Sequence, residues 1–559
     1  MSSENGQDSR DSVCRVMVIG LDGGTWTVLR PWMERGDLPN LAALVQGGAS
    51  GTLLSTVPPV TAPAWSTFQT GVNPGKHGLF HFTRYRPGSY ETPLVDATSI
   101  RPRRLWDLLS AAGKRVGVIN VPVTYPPRPV NGFMVAGLLS PSPEQAFWPV
   151  GLHNEVAEAV GDYQVFLPVR TFDYLGVDGF MNRLTELARN RAATARYLFE
   201  REVWDFFMVH FQATDIAQHA VWAWMDPQHP DFAQKPETEK ARVRAFYREI
   251  DRLIGELVAL AGDDRAVIVM SDHGFGPLMR RVYLNQWLLN EGLLSAPGQS
   301  SLKGRLLGLA EEAVRRADVF KLRRRLIKPR SRSEGVIELL RRDALIEWEK
   351  TKAFALSGPF FGRIYLNTVG REPQGTVSPG AEWEALREQI AERLLTLRDP
   401  ATGRPVIEHV WRREEIYQGP RADELPDLVV KPADGYQVTT EFRRGLLVEP
   451  MPGFLTGTHR MEGILVLHGP GICSGVTVEG ASIADLAPTI LHLMGLPVPE
   501  NMDGRVLLDA LTEEARAARP VHYIAAEDEE EPGGPTGDVY SDADSAEVEA
   551  RLAGLGYLS

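Results

Sequence analysis

The 559-residue chain has only two cysteines, Cys14 and Cys473, too few for a disulfide framework. It also lacks an uninterrupted apolar run of the ~20 residues that a membrane-spanning helix requires. Its polar start, MSSENGQDSRDS, has neither the basic opening nor the apolar stretch of a signal peptide. These absences predict a soluble, cytoplasmic protein. An excess of positive charge is missing too. The formal net charge of −12 argues against general nucleic-acid binding. No internal repeat is visible.

What remains is an ordinary globular composition, on a chain long enough for a large core. Short apolar runs recur along it, each followed by polar or glycine-rich residues and then by a helical pattern. VCRVMVIGLDGG (13–24), WDFFMVHFQATD (204–215), RAVIVMSDHGFG (265–276) and GILVLHGPGI (463–472) read as strands. RLWDLLSAAGKRVGVINVPVTYPP (104–127) reads as helix, glycine, strand; SIADLAPTILHLMGL (482–496) reads as a helix capped by Ser482, with Asp485 three residues on. Continuous apolar strands alternating with helices predict an α/β fold, a large and mostly parallel sheet sandwiched between helices.

Three segments stand apart from this core, expected over 13–295 and 346–512. Residues 1–12 are expected to be disordered. Residues 296–345 are helical in period and strongly basic, which suits an inserted cap or a surface meeting a membrane or a partner. From 526 to 559 an acidic, Gly/Pro-rich linker precedes a short terminal helix, AEVEARLAGLGYLS.

In open α/β sheets function gathers at the carboxyl ends of the strands. Polar residues collect there in this chain. Asp22 ends the first strand; Asp215 and His219 follow the strand at 204, four apart and so on one helical face; Asp272 and His273 end the strand at 265; His459 sits in the loop GFLTGTHRMEG. Taken singly, each has a plainer reading as a turn former, a surface pair or a cap. Together, three carboxylates and three imidazoles exceed one tetrahedral zinc and suit two divalent ions. Such a pair favours an anionic ester of phosphorus or sulfur, and needs an oxygen nucleophile. The uncharged stretch TVPPVTAPAWSTFQTG (56–71) offers several hydroxyls.

The set VIGLDGG, PPVTAPAWSTFQTGVNPGKHG, TDIAQH, SDHGFG and GTHRMEG resembles the alkaline phosphatase superfamily, and within it the type I phosphodiesterase/nucleotide pyrophosphatase family, from about residue 15 to 505. The resemblance implies a metal-dependent hydrolase that cleaves a phosphodiester or pyrophosphate-type bond in a small anionic substrate. It implies Thr61 as the nucleophile, passing through a phospho-threonine. Asp22, Thr61, Asp272 and His273 would then hold one metal, and Asp215, His219 and His459 the other. Both metals are expected to be zinc, with manganese as the alternative. Thr56, Thr67, Thr70 and His77 are expected to be structural.

The chain departs from the family at Ala64, where nucleotide pyrophosphatases carry an asparagine that contacts the phosphate, so either another donor serves or the phosphoryl pocket differs. Thr61 and Trp65 stand where a sulfatase needs Cys or Ser and then Arg. The competing readings are a phosphonate or phosphate monoester hydrolase on the same site, a phosphoryl transferase, and a non-catalytic metal-binding scaffold.

Overall fold

The computed structural model describes residues 14–296, 346–356, 358, 360–443, 445–526 and 539–558. The expected disordered start and all but the first residue of the expected basic insertion lie outside the described residues.

A nine-stranded sheet organises the chain. From edge to edge its strands are Val476–Ser482, Ala49–Leu54, Glu462–His468, Arg265–Met270, Arg15–Leu21, Phe206–Phe211, Val116–Ile119, Gly132–Val135 and Phe147–Trp148. The central strand Arg15–Leu21 is parallel to both neighbours, Phe206–Phe211 and Arg265–Met270. Its side chains alternate between two apolar clusters, Met17 and Ile19 on one face and Val16 and Val18 on the other. A strand covered on both faces has no solvent side, which is why these runs are continuously apolar rather than alternating.

The sheet is mostly parallel, as expected, and two features go beyond that expectation. Glu462–His468 runs antiparallel to both of its neighbours, Ala49–Leu54 and Arg265–Met270. An apolar run carries no signal of direction. Ala353–Leu356, Gly362–Leu366, Leu428–Pro432 and Ile407–Arg412 form a second, four-stranded antiparallel sheet around its own apolar cluster, which includes Trp287, Phe354 and Ile390.

The helix Thr61–Thr70 is buried along its whole length. A helix buried all round must be free of charge, which accounts for the composition of residues 56–71. It ends at Gly71, whose φ of +69° is the left-handed conformation of a C-cap. Further on, Ser482 and Asp485 form a reciprocal capping box ahead of the helix Leu486–Leu493. The last helix, Asp542–Gly554, begins inside the acidic stretch rather than after it, because Ser541 caps it in a box with Asp544.

Candidate metal centre

Three adjacent strands deliver carboxylates to one edge. Asp22 follows Arg15–Leu21, Asp272 follows Arg265–Met270, and Asp215 lies in the helix Ala213–Val221, just beyond Phe206–Phe211. Because Glu462–His468 is antiparallel, its beginning rather than its end lies at this edge. That reversal brings in His459, from the strand Gly457–Arg460, which pairs with Gly274–Tyr283 in the register His459↔Phe275. The approach is tight, since a Cβ on Gly457 would come within 2.3 Å of the Gln218 carbonyl oxygen.

The structure brings all seven expected residues together in the interior. Asp22, Thr61, Asp215, Asp272 and His273 have no exposed surface, and His219 and His459 have 3% and 2%. Asp22, Asp272 and His273 place ligand atoms within 4.8 Å of one another, and so do Asp215, His273 and His459. His273 belongs to both groups. His219 Nε2 joins the second, 3.4 Å from Asp215 Oδ1 and 3.1 Å from His459 Nε2.

The imidazole tautomers follow from the backbone. Nδ1 of His219 lies 3.2 Å from the Gly457 carbonyl oxygen, Nδ1 of His273 3.1 Å from that of Gly274, and Nδ1 of His459 2.8 Å from that of Pro59. A carbonyl oxygen only accepts, so each Nδ1 carries the proton. Each neutral ring then turns the lone pair of Nε2 inward. Burial pushes His273 and His459 down to about 4, which keeps the rings neutral.

The inward-facing atoms are acceptors opposed to acceptors. His459 Nε2 lies 3.2 Å from Asp215 Oδ1, and His273 Nε2 lies 3.4 Å from Asp22 Oδ1. Asp22 Oδ1, Asp215 Oδ1 and Asp272 Oδ2 have no hydrogen-bond partner. Burial, reinforced by Asp215, raises Asp22 well above the usual carboxylate range; burial and then Asp22 do the same to Asp272. For Asp215 burial again acts upward, and only positive charge at the His219 and His459 side of the carboxyl, a proton or a cation, holds it low. Buried carboxylates and lone pairs converging without a proton between them are costly unless a cation lies among them. The donor set therefore fits divalent metal ions taking nitrogen and oxygen ligands.

Thr61 is the first residue of its helix; the N-cap is Val60. Its hydroxyl caps nothing. Oγ1 lies 3.4 Å from His273 Nε2 and 3.1 Å from the Tyr557 hydroxyl. The other hydroxyls nearby are engaged locally. Thr56 donates to the Pro58 carbonyl, Thr70 donates to the Ser66 carbonyl, and Thr67 meets His77 Nε2 at 3.0 Å.

Sequence reasoning missed two residues here. His210 meets the Asn120 carbonyl oxygen through Nδ1 at 2.9 Å, and its Nε2 lies 2.8 Å from Asp22 Oδ2, so it accepts from that carboxyl when Asp22 is protonated and leaves Oδ1 toward the centre. Its signal was a lone imidazole in the apolar strand FFMVHF, a pattern that reads as core. Tyr557 enters from the far end of the chain, its hydroxyl donating to Asp215 Oδ2 at 3.3 Å. No local motif marks it.

Among the described residues, no helix is long and apolar enough to cross a membrane. The fold resembles phosphonoacetate hydrolase from Sinorhizobium meliloti 1021, solved with phosphonoacetate, at a TM-score of 0.54 and 17% identity, covering 86% of this chain and 96% of that one. It also resembles murine ectonucleotide pyrophosphatase/phosphodiesterase 5, at a TM-score of 0.50 and 14% identity over 89% of this chain and all of that one. A 37-residue stretch is 54% identical to a 2,3-bisphosphoglycerate-independent phosphoglycerate mutase from Cereibacter sphaeroides, a match spanning 7% of that relative's length. The family model described as type I phosphodiesterase/nucleotide pyrophosphatase matches residues 16–463, most of the sheet and every strand-end residue of the centre. The chain belongs to the type I phosphodiesterase/nucleotide pyrophosphatase family.

Proposed function

We propose that the protein hydrolyses a phosphodiester or pyrophosphate-type bond, with Thr61 as nucleophile and two divalent ions as cofactors. The observation that carries this reading is the inward convergence of three Nε2 lone pairs and three carboxylates, with the uncapped hydroxyl of Thr61 3.4 Å from one of them, His273 Nε2. Asp22, Thr61, Asp272 and His273 would hold one ion, and Asp215, His219 and His459 the other. The mixed nitrogen and oxygen donors favour zinc, with manganese as the alternative. When bound, the ions supply positive charge that lowers the pKa of the attacking hydroxyl and offsets charge building on phosphorus and on the leaving oxygen.

The chain's own residues supply position. The buried helix Thr61–Thr70 fixes Oγ1 at the edge of the cluster, where backbone N–H groups of its first turn favour an anion. Thr61 Oγ1 forms a bond to phosphorus as the bond to the leaving oxygen breaks, and the leaving group departs with a proton. Water then cleaves the phospho-threonine and restores the hydroxyl. Burial of the whole cluster excludes bulk water, which strengthens each electrostatic contact. The neighbours of Thr61 in its helix, Ala62, Pro63, Ala64 and Trp65, carry no charge. That suits a diester, with its single negative charge, better than a monoester.

The test is zinc-supplemented hydrolysis of bis-p-nitrophenyl phosphate against p-nitrophenyl phosphate and phosphonoacetate, with Thr61→Ala as the blank. Faster diester turnover that vanishes in the variant is expected. Faster monoester turnover would move the chemistry to phosphate monoesters, and faster phosphonoacetate turnover to cleavage of a phosphorus–carbon bond. Undiminished turnover by Thr61→Ala would sink the nucleophile.

A further inference from the structure

We propose that Tyr557 is a catalytic residue of this reaction, its phenol O–H donating to a non-bridging phosphoryl oxygen in the transition state. The inference rests on the reading of Thr61 as nucleophile.

The segment that carries Tyr557 is firmly docked. Val548 and Leu552, in the helix Asp542–Gly554, are fully buried. Arg551, on the same helix, donates to the backbone carbonyls of Leu138 at 3.1 Å and Pro141 at 3.0 Å, and also to that of Ser140. Gly556, at a φ of +85°, then turns the chain inward. A residue with a Cβ would be strained in that conformation. The ring of Tyr557 has no exposed surface and packs against Phe82 and Phe360, with ring centroids 4.7 and 5.7 Å away. A buried aromatic of this kind is held rigidly, and its hydroxyl needs a polar partner.

That hydroxyl lies between two atoms assigned to different halves of the centre, 3.1 Å from Thr61 Oγ1 and 3.3 Å from Asp215 Oδ2. Its single proton goes to Asp215, because a carboxylate only accepts; Thr61 then donates to the phenol oxygen. Once Thr61 turns its oxygen on phosphorus, a cation held through Asp215 Oδ1 would draw charge from Oδ2 and weaken it as an acceptor, so that a more anionic phosphoryl oxygen arriving beside the phenol competes for its proton. An oxygen beside the attacking atom is where a phosphoryl oxygen must come. Among the described residues the side-chain partners of Thr61 Oγ1 are His273 and Tyr557. His273 turns a bare Nε2 to it, so Tyr557 is the partner that carries a proton. This is the donor that Ala64 does not provide.

The competing role is occlusion, in which the ring fills the place of the substrate. The zinc-loaded full-length chain separates the two. Tyr557→Phe keeps ring and packing and removes one O–H, so its melting temperature should match the parent. The proposal expects kcat for bis-p-nitrophenyl phosphate to fall about 10²-fold, as when one transition-state donor is removed, with KM changed by less than about threefold. Calorimetry should show orthovanadate, a mimic of the five-coordinate phosphorus, binding Tyr557→Phe at least about tenfold more weakly. Turnover equal to or faster than the parent, or unchanged vanadate affinity, would overturn the proposal. The vanadate result holds whatever ester the enzyme prefers. Full turnover by Thr61→Ala would instead remove the reading beneath it, with the affinity loss in Tyr557→Phe left intact.

Discussion

His219 and His459 meet Nε2 to Nε2 at 3.1 Å, and in both rings Nδ1 is bonded to a backbone carbonyl. Two imidazole lone pairs cannot face each other so closely without a proton or a cation between them. With both protons on Nδ1, a cation is expected there. Purified protein equilibrated with zinc should hold two ions per chain, and His459→Ala should hold one, by elemental analysis. Chelation should abolish turnover. Zinc at about 100 times its dissociation constant should add about 2.7 kcal/mol of stability for each ion bound. A His459→Ala variant that keeps both ions would contradict this ligand set.

His210 predicts an effect on metal affinity without contacting the metal. Its ring, fixed through Nδ1 on the Asn120 carbonyl, sits 2.8 Å from Asp22 Oδ2 and sets the orientation of that carboxyl, and loss of such an outer partner typically costs 10- to 100-fold in metal affinity. Competition with a chromophoric chelator should show His210→Ala losing zinc about that much more readily. Equal affinity in variant and parent would mean that Asp22 is held by other contacts.

Much of this centre was legible because its residues follow strands that announce themselves. Asp22, Asp272 and His273 sit directly after fully apolar runs and beside glycines, where a core residue would not be polar. Asp215 and His219 share a face by helical spacing alone. The rest was not legible for a physical reason. His210 belongs to a strand whose six residues are all buried, so nothing local distinguishes it from packing. Tyr557 meets Thr61 across 496 residues of chain, a contact made by the docking of Arg551 rather than by any pattern near the tyrosine. The reversed strand Glu462–His468, which decides where His459 points, is equally silent about its direction.

His77 predicts the acid sensitivity of the fold, apart from the centre. It is fully buried, accepts from the Leu79 backbone N–H through Nδ1, and is pushed down to about 3 by burial and then by Arg421. In the unfolded chain it titrates near 6.5. As pH falls below that value the unfolded state takes up a proton that the folded state refuses, so stability is lost between about 6.5 and 3 and unaffected above. His77→Gln should be less stable than the parent at pH 7. Its deficit in urea unfolding should shrink by about 2 kcal/mol at pH 5. A deficit that does not change with pH would show that His77 takes up its proton in the folded protein as readily as in the unfolded chain.

Attack of Thr61 on phosphorus leaves a covalent phosphoryl group on that residue during turnover. Rapid acid quenching of the zinc-loaded enzyme with bis-p-nitrophenyl phosphate, followed by peptide mass spectrometry, tests it most directly. The account predicts a p-nitrophenyl phosphoryl group on Thr61, present during turnover and absent from Thr61→Ala. Turnover with no adduct on that residue, together with an active Thr61→Ala, would contradict it.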